Sequence, residues 1–392
     1  MKLNTLKKIV GEDNFLEKGI EKIAYCNDAS QIEGNTIVVV QPTKVEQIHK
    51  IVLLANRQNF NLVIRGAGTG LVGGAVPQNS VVLDLSKMNN ILEINENEKT
   101  AVVEPGVIVD DLNYILKDKQ LFFPIIPSSH EICTIGGMIA TNAAGLRAVK
   151  YGPTSKWVIG LSIIDGSGRY YDIKEDRLDN FIGKEGTTGI IVKAKLKLTR
   201  PIEDISLSIF EFSSIEKMTA KAGELLKLPN LIALEFFDKL TAKTAKLNEN
   251  YYLIAEFEGS DGSIKEPTKI RETFKLREGI YPNLASEGYI RIEDPKVELD
   301  KLPRLAGFFE KNKIPFFGHL GIATIHPCFD ELNDDLIERM YSLVSELNGS
   351  ISGEHGIGLS KKKFADPVFK DKIKKLKLRY DVNNILNKGK II

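Results

Sequence analysis

Residues 64–77 read IRGAGTGLVGGAVP, and this glycine loop decides how the rest of the chain is interpreted. Glycine adopts positive φ without strain and lets a ligand approach the backbone closely. Successive N–H groups in such a loop can converge on one anion. The loop therefore predicts a site for the pyrophosphate of a dinucleotide, with Arg65 at its mouth and a hydroxyl donor at Thr69. The candidate contacts are Arg65, Gly66, Ala67, Gly68, Thr69, Gly70 and Leu71.

The glycine spacing also satisfies G-x-G-x-x-G, the fingerprint of nicotinamide-dinucleotide folds. That fingerprint needs a helix that opens at its last glycine and receives the phosphate at its N-terminus. Here Pro77 disfavours a continuing helix, and residues 81–85 read as a strand. Asp84 mimics the acid that binds ribose in those folds, but no helix is predicted between it and the glycines. A nicotinamide Rossmann site is therefore rejected.

Length and composition indicate the number of domains and exclude some classes of partner. A chain of 392 residues predicts two or three domains, and its 43% hydrophobic and 27% charged residues are typical of a globular protein. The 53 Lys and Arg residues nearly balance 52 Asp and Glu, so no nucleic-acid partner is expected. Cys26, Cys133 and Cys328 are far apart, which argues against a disulfide framework. No signal peptide and no spanning segment of ~18 apolar residues is evident, so a cytoplasmic location is expected.

The segments around the glycine loop predict a β-α-β unit. Residues 36–40 read as a strand, Thr43 and Glu46 predict a capping box, and the helix that follows runs to about Gln58. A short strand at residues 62–64 leads into the loop. Further strands are predicted at residues 81–85, 91–95, 100–103, 157–164, 169–173 and 191–199, with a helix at residues 109–118 and a hairpin turn at residues 165–168.

Residues 121–151 form a small-residue segment, LFFPIIPSSHEICTIGGMIATNAAGLRAVKY. It is rich in small residues and turn formers, yet too apolar for a solvated loop. It predicts backbone wrapped closely round a large flat ligand, and a tightly packed core loop is the alternative. The candidate contacts are Pro127, Ser128, Ser129, Thr134, Gly136, Gly137, Asn142, Gly145, Tyr151 and Gly152.

Four segments together carry a family resemblance: RGAGTGLVGG, VVEPGV, PSSHEICTIGGMIATNAAGLRAVKYG and GKEGTTGIIVKAKLKL. Their order and spacing resemble the FAD-linked 2-hydroxyacid dehydrogenases of the vanillyl-alcohol-oxidase/PCMH flavoprotein superfamily. That group includes the D-type subunits of glycolate oxidases, acceptor-linked D-lactate dehydrogenases and D-2-hydroxyglutarate dehydrogenases. The resemblance implies an α+β fold with a two-lobed PCMH-type FAD-binding domain at residues 1–201. It also implies an α+β cap domain with an antiparallel sheet at residues 202–360, and a C-terminal return at residues 361–392 that packs on the FAD-binding domain.

The resemblance also implies how FAD is held. The glycine loop would bind the pyrophosphate, and the small-residue segment would line the isoalloxazine. The loop contains neither His nor Cys, so the flavin is expected to be non-covalent. The further cofactor contacts that the resemblance implies are Glu185, Gly186, Gly189, Ile190 and, near the flavin, Asn387.

From residue 202 the glycine density falls, and strands alternate with long helices. Strands are predicted at residues 205–211, 231–237 and 251–258, and helices at residues 213–226, 264–279, 301–312 and 330–348. A capping pair is predicted at Ser213 and Glu216. This alternation predicts an antiparallel sheet with helices on one face. The region is short for the family, which implies that some family loops are trimmed.

Two histidine motifs predict the chemistry. GHLGIATIHP contains His319 and His326 on either side of Gly321, which would allow a turn, and SGEHGIG contains Glu354 and His355. Two imidazoles and a carboxylate form a common site for a first-row metal, and satisfied core histidines are the alternative. The resemblance implies His319, His326 and Glu354 as ligands of a divalent metal (Zn, Mn or Fe), with His355 as proton acceptor.

One departure from the family pattern affects the substrate contacts. Relatives usually read G-H-x-G-D-G-N-x-H, whereas this chain has Gly321, Ile322, Ala323 and Thr324 at the central positions. Thr324 thus stands where the family has an asparagine close to substrate. The departure removes no metal ligand.

A 2-hydroxyacid also needs a carboxylate anchor, for which the planar fork of arginine is well suited. Arg277, in a Leu-Arg-Glu element, matches the arginine that grips the substrate carboxylate in the family. Arg291 is the nearest match to a second cation. A solvated helix face is the alternative for Arg277.

The sequence hypothesis is oxidation of a small D-2-hydroxyacid substrate by FAD, with electrons passed to a non-NAD acceptor such as a quinone or an electron-transfer protein. D-lactate is the first choice of substrate, followed by glycolate and D-2-hydroxyglutarate. The rivals are a non-redox FAD transferase of the same superfamily and a non-catalytic FAD-binding subunit. Residues 370–379 hold six cations that could touch anionic lipid on the inner face of the membrane, although a solvated helix is favoured. A homodimer is one option for the oligomeric state.

Overall fold

The computed structural model describes residues 3–330 and 333–392. Its strands are β1 Phe15–Leu16, β2 Asn35–Val40, β3 Leu62–Arg65, β4 Gln78–Asp84, β5 Ile91–Asn95, β6 Thr100–Val103, β7 Val158–Ile164, β8 Tyr170–Lys174, β9 Ile190–Lys197, β10 Ile205–Phe212, β11 Leu231–Phe237, β12 Tyr251–Glu258, β13 Arg291–Ile292, β14 Phe316–His319 and β15 Thr324–Phe329. Its α-helices are α1 Leu3–Val10, α2 Gly19–Ile23, α3 Val45–Gln58, α4 Val109–Lys117, α5 Ile135–Thr141, α6 Ala148–Tyr151, α7 Ile215–Leu225, α8 Lys239–Thr244, α9 Pro267–Glu278, α10 Ile280–Ser286, α11 Leu302–Lys311, α12 Asp334–Glu346 and α13 Pro367–Tyr380.

The first sheet has the strand order β1-β2-β4-β3, and the β2-β4 and β4-β3 pairs are parallel. Helix α3 makes the crossover that parallel strands require, and it buries Ile48, Ile51 and Val52. The predicted β-α-β unit is therefore present. Strand β4 begins at Gln78 and not at residue 81, because a bulge at Asn79 (φ 48°) continues the pairing with β2.

Two predicted helix caps are wrong by one residue. Helix α3 is capped at Lys44, and Gln47 rather than Glu46 reaches back: its Oε1 accepts the backbone N–H groups of Thr43 (2.7 Å) and Lys44 (3.2 Å). Helix α7 is capped by Ser214, whose Oγ accepts the N–H of Lys217. In both places neighbouring residues could serve as the cap, and sequence spacing alone does not separate them.

The second sheet is antiparallel with the order β5-β6-β9-β7-β8. The predicted hairpin between β7 and β8 is present, and Asp165 closes it by accepting the N–H groups of Ser167 (2.8 Å) and Arg169 (2.9 Å). The small-residue segment packs against this sheet and contains two short helices, α5 and α6, which the sequence did not predict. Thr134 caps α5 at its start, and Asn142 ends it in the left-handed conformation (φ 55°).

The third sheet has six antiparallel strands in the order β10-β12-β11-β14-β15-β13, and one of its faces packs on helices α7, α11 and α12. This confirms the α+β class with an antiparallel sheet in the second part of the chain. The other face of the sheet packs on α8 and α10, so the prediction of helices on one face alone is wrong. Helix α9 begins at Pro267, three residues later than predicted, because proline favours the first turn. The predicted start of α12 falls next to residues 331–332, which lie outside the described residues.

The C-terminal residues pack against the glycine loop. The backbone N–H of Asn387 donates to the carbonyl of Leu62 (2.8 Å), and Lys390 Nζ donates to the carbonyls of Gly73 (2.6 Å) and Val76. In α13, Lys377 is buried, and its Nζ lies 2.8 Å from Asp381 Oδ2. One of the six cations of this segment is therefore structural rather than solvated. None of the helices among the described residues has the length and hydrophobicity needed to cross a bilayer.

Candidate active site

A cavity of about 710 Å³ connects the glycine loop with the third sheet. The loop and the small-residue segment line one part of it, and residues from α9, α10, β13, β14, β15 and the segment after α12 line the opposite part. Glu185, Gly186, Gly189, Ile191 and Asn387 also belong to the wall. The two groups of residues that the sequence singled out for cofactor and metal thus share one space.

The glycine loop has no helix after its glycines, as expected, because β4 follows directly. Gly68 has φ +73°, and a Cβ there would lie 2.2 Å from Arg65 Nη2; a Cβ on Gly66 would lie 2.3 Å from Thr134 Oγ1. At Gly70 a Cβ would meet no protein atom within 4 Å, so this backbone is open towards the cavity. Bare backbone facing an open space is a cradle that fits a flavin dinucleotide.

Arg65 does not stand free at the mouth of the loop. Its side chain is buried beneath Gly68, and Nη1 donates to the carbonyl of Asn27 (2.7 Å). Burial lowers the pKa of this guanidinium, and the nearby Asp28 and Asp84 carboxylates oppose that effect. Asp84, the apparent ribose acid, accepts hydrogen bonds from Tyr25 (2.7 Å) and Gln41 (2.7 Å), which gives it a structural role.

Most of the predicted cofactor contacts lie in the cavity wall. These are Arg65, Gly66, Ala67, Gly68, Thr69, Gly70, Leu71, Pro127, Ser128, Ser129, Thr134, Gly136, Gly137, Gly145, Glu185, Gly186, Gly189 and Asn387.

Four predicted contacts lie outside the wall, each for a structural reason. Asn142 accepts the N–H of Ser155 (2.8 Å), and Tyr151 packs edge-on against Trp157. Gly152 takes φ +68° beside the Lys156 side chain. Ile190 points into the core, because alternation along β9 turns its neighbour Ile191 towards the cavity instead. The outlying contacts are Asn142, Tyr151, Gly152 and Ile190.

The β14-β15 hairpin brings His319 and His326 together. Phe317 pairs with His326 and His319 pairs with Thr324, so the two imidazoles sit diagonally on one face of the hairpin. Their ring centroids are 5.1 Å apart. The turn depends on Ala323, which takes the left-handed conformation (φ 59°), and not on Gly321.

Gly321 is needed for a different reason. A Cβ at this position would lie 1.9 Å from Val149 Cγ2. The glycine therefore lets α6 of the small-residue segment approach the hairpin that carries the histidines.

Glu354 completes a three-residue group. The ligand atoms of His319, His326 and Glu354 all lie within 4.8 Å of one another, and His319 Nε2 is 3.6 Å from Glu354 Oε1. Glu354 Oε1 is buried without a hydrogen-bond partner in the structure. Burial, with the neighbouring His319 and His355, holds the pKa of His326 well below its usual range. This imidazole is therefore neutral, and a ring nitrogen is available as a metal ligand. An unpaired carboxylate oxygen beside two imidazoles fits a divalent cation.

A buried carboxylate that sequence reasoning missed supports this group. Glu235 Oε1 lies 2.6 Å from His319 Nδ1, and its Oε2 accepts from Arg277 Nε (2.7 Å). Burial acts to lower the pKa of His319, but the Glu235 and Glu354 carboxylates outweigh it and raise the pKa. Because Glu235 bonds to Nδ1 of His319, the Nε2 atom of this ring is the one that faces Glu354. The signal was a lone acid inside the apolar strand LIALEFF.

The three predicted substrate contacts have different outcomes in the structure. Arg277 lines the cavity, and its Nη2 lies 3.3 Å from the His319 ring nitrogens. Arg291 lies outside the wall, since its guanidinium pairs with Glu293 (3.2 Å) and Asp334 (2.5 Å). Thr324 also lies outside it: the side chain is fully buried against Gly353. Arg291 and Thr324 are therefore not in a position to contact a ligand in this cavity.

His355 lines the cavity next to the three-residue group. Its ring stacks on His326 with centroids 5.2 Å apart, and its Nδ1 lies 3.5 Å from Asp294 Oδ1. Burial lowers the pKa of His355, although the Glu354 and Glu293 carboxylates oppose this. A neutral imidazole at the cavity wall can accept a proton.

Comparison with known proteins agrees with this geometry and shows the class of protein to which the chain belongs. A model described as "FAD binding domain" matches residues 36–174, and one described as "FAD linked oxidases, C-terminal domain" matches residues 203–391. The fold resembles an alkyldihydroxyacetonephosphate synthase with a TM-score of 0.75, covering 98% of this chain and 84% of that one. The sequence identity of 16% makes this a likeness of fold alone. The protein is therefore a flavoprotein with FAD as its cofactor.

Three relatives narrow the class to a family. Glycolate oxidase subunit GlcD of Bacillus subtilis is 30% identical over 452 residues, covering 98% of this chain and 95% of the relative. A D-2-hydroxyglutarate dehydrogenase of Stutzerimonas stutzeri is 29% identical over 461 residues (99% and 98%), and a D-lactate dehydrogenase of Archaeoglobus fulgidus is 29% identical over 411 (92% and 92%). The chain belongs to the FAD-linked oxidase family, as the sequence resemblance predicted. Since the GlcD alignment is longer than the chain of 392 residues, this chain lacks segments that the relative has.

Proposed function

We propose that this protein uses FAD to oxidise a short D-2-hydroxymonocarboxylate, D-lactate above all, to the 2-oxoacid. The observation that carries the proposal is the convergence of His319, His326 and Glu354 in the wall of the cavity that the glycine loop also lines. The names of the relatives, which include lactate, glycolate and 2-hydroxyglutarate enzymes, support this substrate class.

The bound groups and the protein residues have separate tasks. When bound, FAD supplies a hydride acceptor, and a divalent metal (Zn, Mn or Fe) supplies a Lewis acid that lowers the pKa of the substrate hydroxyl. His319, His326 and Glu354 would hold the metal. Neutral His355 takes the hydroxyl proton, because its buried position keeps it unprotonated at neutral pH.

Arg277 anchors the substrate carboxylate. Its guanidinium lines the cavity and is held in place by Glu235. Among the described residues that line the cavity, Arg65 is the only other arginine or lysine, and its side chain is engaged beneath the glycine loop. One guanidinium that lines the cavity outside the glycine loop suits one carboxylate.

The surroundings of Arg277 favour a small apolar substituent on the substrate. Tyr281, Pro282, Ile292 and Phe317 line the same cavity, and the exposed Glu278 adds a negative charge. A second carboxylate, as in 2-hydroxyglutarate, would find no cationic partner there, because Arg291 lies outside the wall. Glycolate lacks only the methyl group of lactate, which is worth about 0.8 kcal/mol when buried.

An anaerobic panel of 2-hydroxyacids tests the proposal. The flavin of purified protein should bleach fastest with D-lactate, a few-fold more slowly with glycolate, much more slowly with D-2-hydroxyglutarate, and not with L-lactate. Chelation should stop bleaching while the yellow colour stays, and Zn, Mn or Fe should restore it. If no acid in the panel bleaches the flavin, the dehydrogenase proposal fails, and a transferase or a non-catalytic subunit takes its place.

The route of the electrons and the location are part of the same proposal. The reduced flavin would pass its electrons to a quinone or an electron-transfer protein and not to NAD, in a cytoplasmic enzyme. Turnover by the isolated chain with a soluble quinone, compared with NAD, distinguishes these acceptors.

A further inference from the structure

Asp294, which precedes Glu354 in sequence by 60 residues, holds the backbone of both Glu354 and His355. Its side chain is fully buried. Its Oδ2 accepts the N–H groups of Gly353 (3.0 Å), Glu354 (2.7 Å) and His355 (2.7 Å), as well as the hydroxyl of Ser352 (3.0 Å). Three consecutive amides therefore converge on one carboxylate oxygen, which fixes the chain direction through the segment.

The second oxygen of Asp294 has two neighbours. Lys361 Nζ contacts Oδ1 and is itself buried, so it balances the charge of the carboxylate. His355 Nδ1 lies 3.5 Å from the same oxygen and is a buried atom without a hydrogen-bond partner in the structure. The imidazole therefore has its Nδ1 edge towards Asp294, which leaves Nε2 as the ring nitrogen for a ligand in the cavity.

We propose that Asp294 is a positioning residue of the active site: it fixes Glu354 and His355 through their backbone, and the fixed backbone places the His355 ring with its Nδ1 edge towards Asp294. Asp294 itself is not among the residues that line the cavity. The proposal deepens the proposed function and rests on it only for the role of His355 as proton acceptor. The placement of the segment is independent of that role.

Asp294→Asn tests the proposal with little change in shape. An amide has one acceptor oxygen where the carboxylate has two. If the NH₂ group faces the Lys361 ammonium, a neutral and weaker oxygen accepts the three backbone N–H groups; if it faces those N–H groups, they lose their acceptor. The anchor of the segment is therefore weakened in the first arrangement and lost in the second.

Asp238 provides a matched control. It is equally buried in the same sheet region and also accepts three backbone N–H groups, those of Leu240 (3.1 Å), Thr241 (3.0 Å) and Phe316 (3.1 Å). It is not part of the cavity wall. Asp238→Asn therefore reproduces the general cost of replacing a buried, backbone-bonded carboxylate.

Two measurements on the flavin-loaded protein are compared between the variants. Hydrogen exchange of residues 352–358 should become faster in Asp294→Asn and stay unchanged in Asp238→Asn. Flavin reduction at saturating D-lactate should fall about 100-fold in Asp294→Asn alone, in the range typical for a displaced general base. Unchanged exchange in residues 352–358, or faster exchange with a normal reduction rate, would overturn the proposal.

A double variant separates positioning from charge balance. In Asp294→Asn the buried Lys361 ammonium keeps only Glu293, 3.5 Å away, as a charged partner. Adding Lys361→Met removes this ammonium and should restore part of the thermal stability, but the reduction rate should remain low. Recovery of the rate together with stability would show that Asp294 serves only to neutralise Lys361. If no 2-hydroxyacid reduces the flavin of the wild-type protein, the proposed function fails. The exchange measurement still tests the positioning role in that case.

Discussion

The glycine loop and the histidine cluster (His319, His326, Glu354 and His355) line the same cavity but are built in opposite ways. The loop is one continuous stretch in which bare backbone faces the ligand, and the decisive residues are those with no side chain. The cluster depends on side chains from a hairpin and a distant segment, and carboxylates from elsewhere in the chain orient them. Recognition by backbone is therefore local in sequence, whereas recognition by side chains is assembled only by the fold.

The largest expected effect separates chemistry from cofactor binding. His355→Ala removes the proton acceptor, so flavin reduction by D-lactate should fall at least ~10³-fold, while FAD remains bound because the glycine loop is untouched. Stopped-flow absorbance of the flavin measures the rate. His49→Ala is the control, since His49 hydrogen-bonds the Gly168 carbonyl and lies outside the cavity wall. A variant at position 355 that reduces its flavin normally would contradict the assigned role.

The cluster should also be sensitive to a residue that does not line the cavity. Glu235→Gln keeps the size of the side chain but loses the charge that orients His319 and Arg277. Metal affinity should fall about 10- to 100-fold, and the KM for D-lactate should rise because Arg277 loses its partner. Calorimetric titration with the metal and steady-state kinetics measure the two effects. Glu256→Gln, a buried carboxylate on the neighbouring strand β12 that pairs with Arg147, is the control and should leave metal affinity unchanged.

The same contrast explains how far the sequence could be interpreted. The glycine loop, the strands around it and the grouping of His319, His326 and Glu354 were predictable, because spacing and residue type carry their signal. Glu235 and Asp294 were not, since their partners lie 84 and about 60 residues away and meet them only through sheet pairing and loop packing. Asn142 and Ile190 lie outside the cavity wall for the converse reason: small or conspicuous residues near a site also serve helix ends and strand cores.

The loop should tolerate a side chain in the empty protein but not in the loaded one. A Cβ at Gly70 meets no protein atom within 4 Å and projects into the open cavity. Gly70→Val should therefore leave the apoprotein folded and weaken FAD binding about 10-fold, through loss of the close backbone approach. Fluorescence titration of apoprotein with FAD measures this. Gly307→Val, at another uncrowded glycine on helix α11, should leave FAD affinity unchanged; equal losses in both variants would refute the assignment.

The smallest expected effect concerns the turn that joins the two histidine strands. Ala323 holds the left-handed conformation at φ 59°, where a Cβ costs about 1 kcal/mol. The greater unfolded-state entropy of glycine offsets part of this relief, so Ala323→Gly should stabilise the protein by about 0.5 kcal/mol in urea unfolding, while the positions of His319 and His326 on their strands are kept. Asn348 has a similar φ of 56°, but asparagine tolerates this conformation, so Asn348→Gly should bring no gain in stability. A destabilised Ala323→Gly variant would mean that the alanine methyl group contributes packing that outweighs its backbone strain. In that case the histidine side of the cavity would depend on side chains even at its tightest turn.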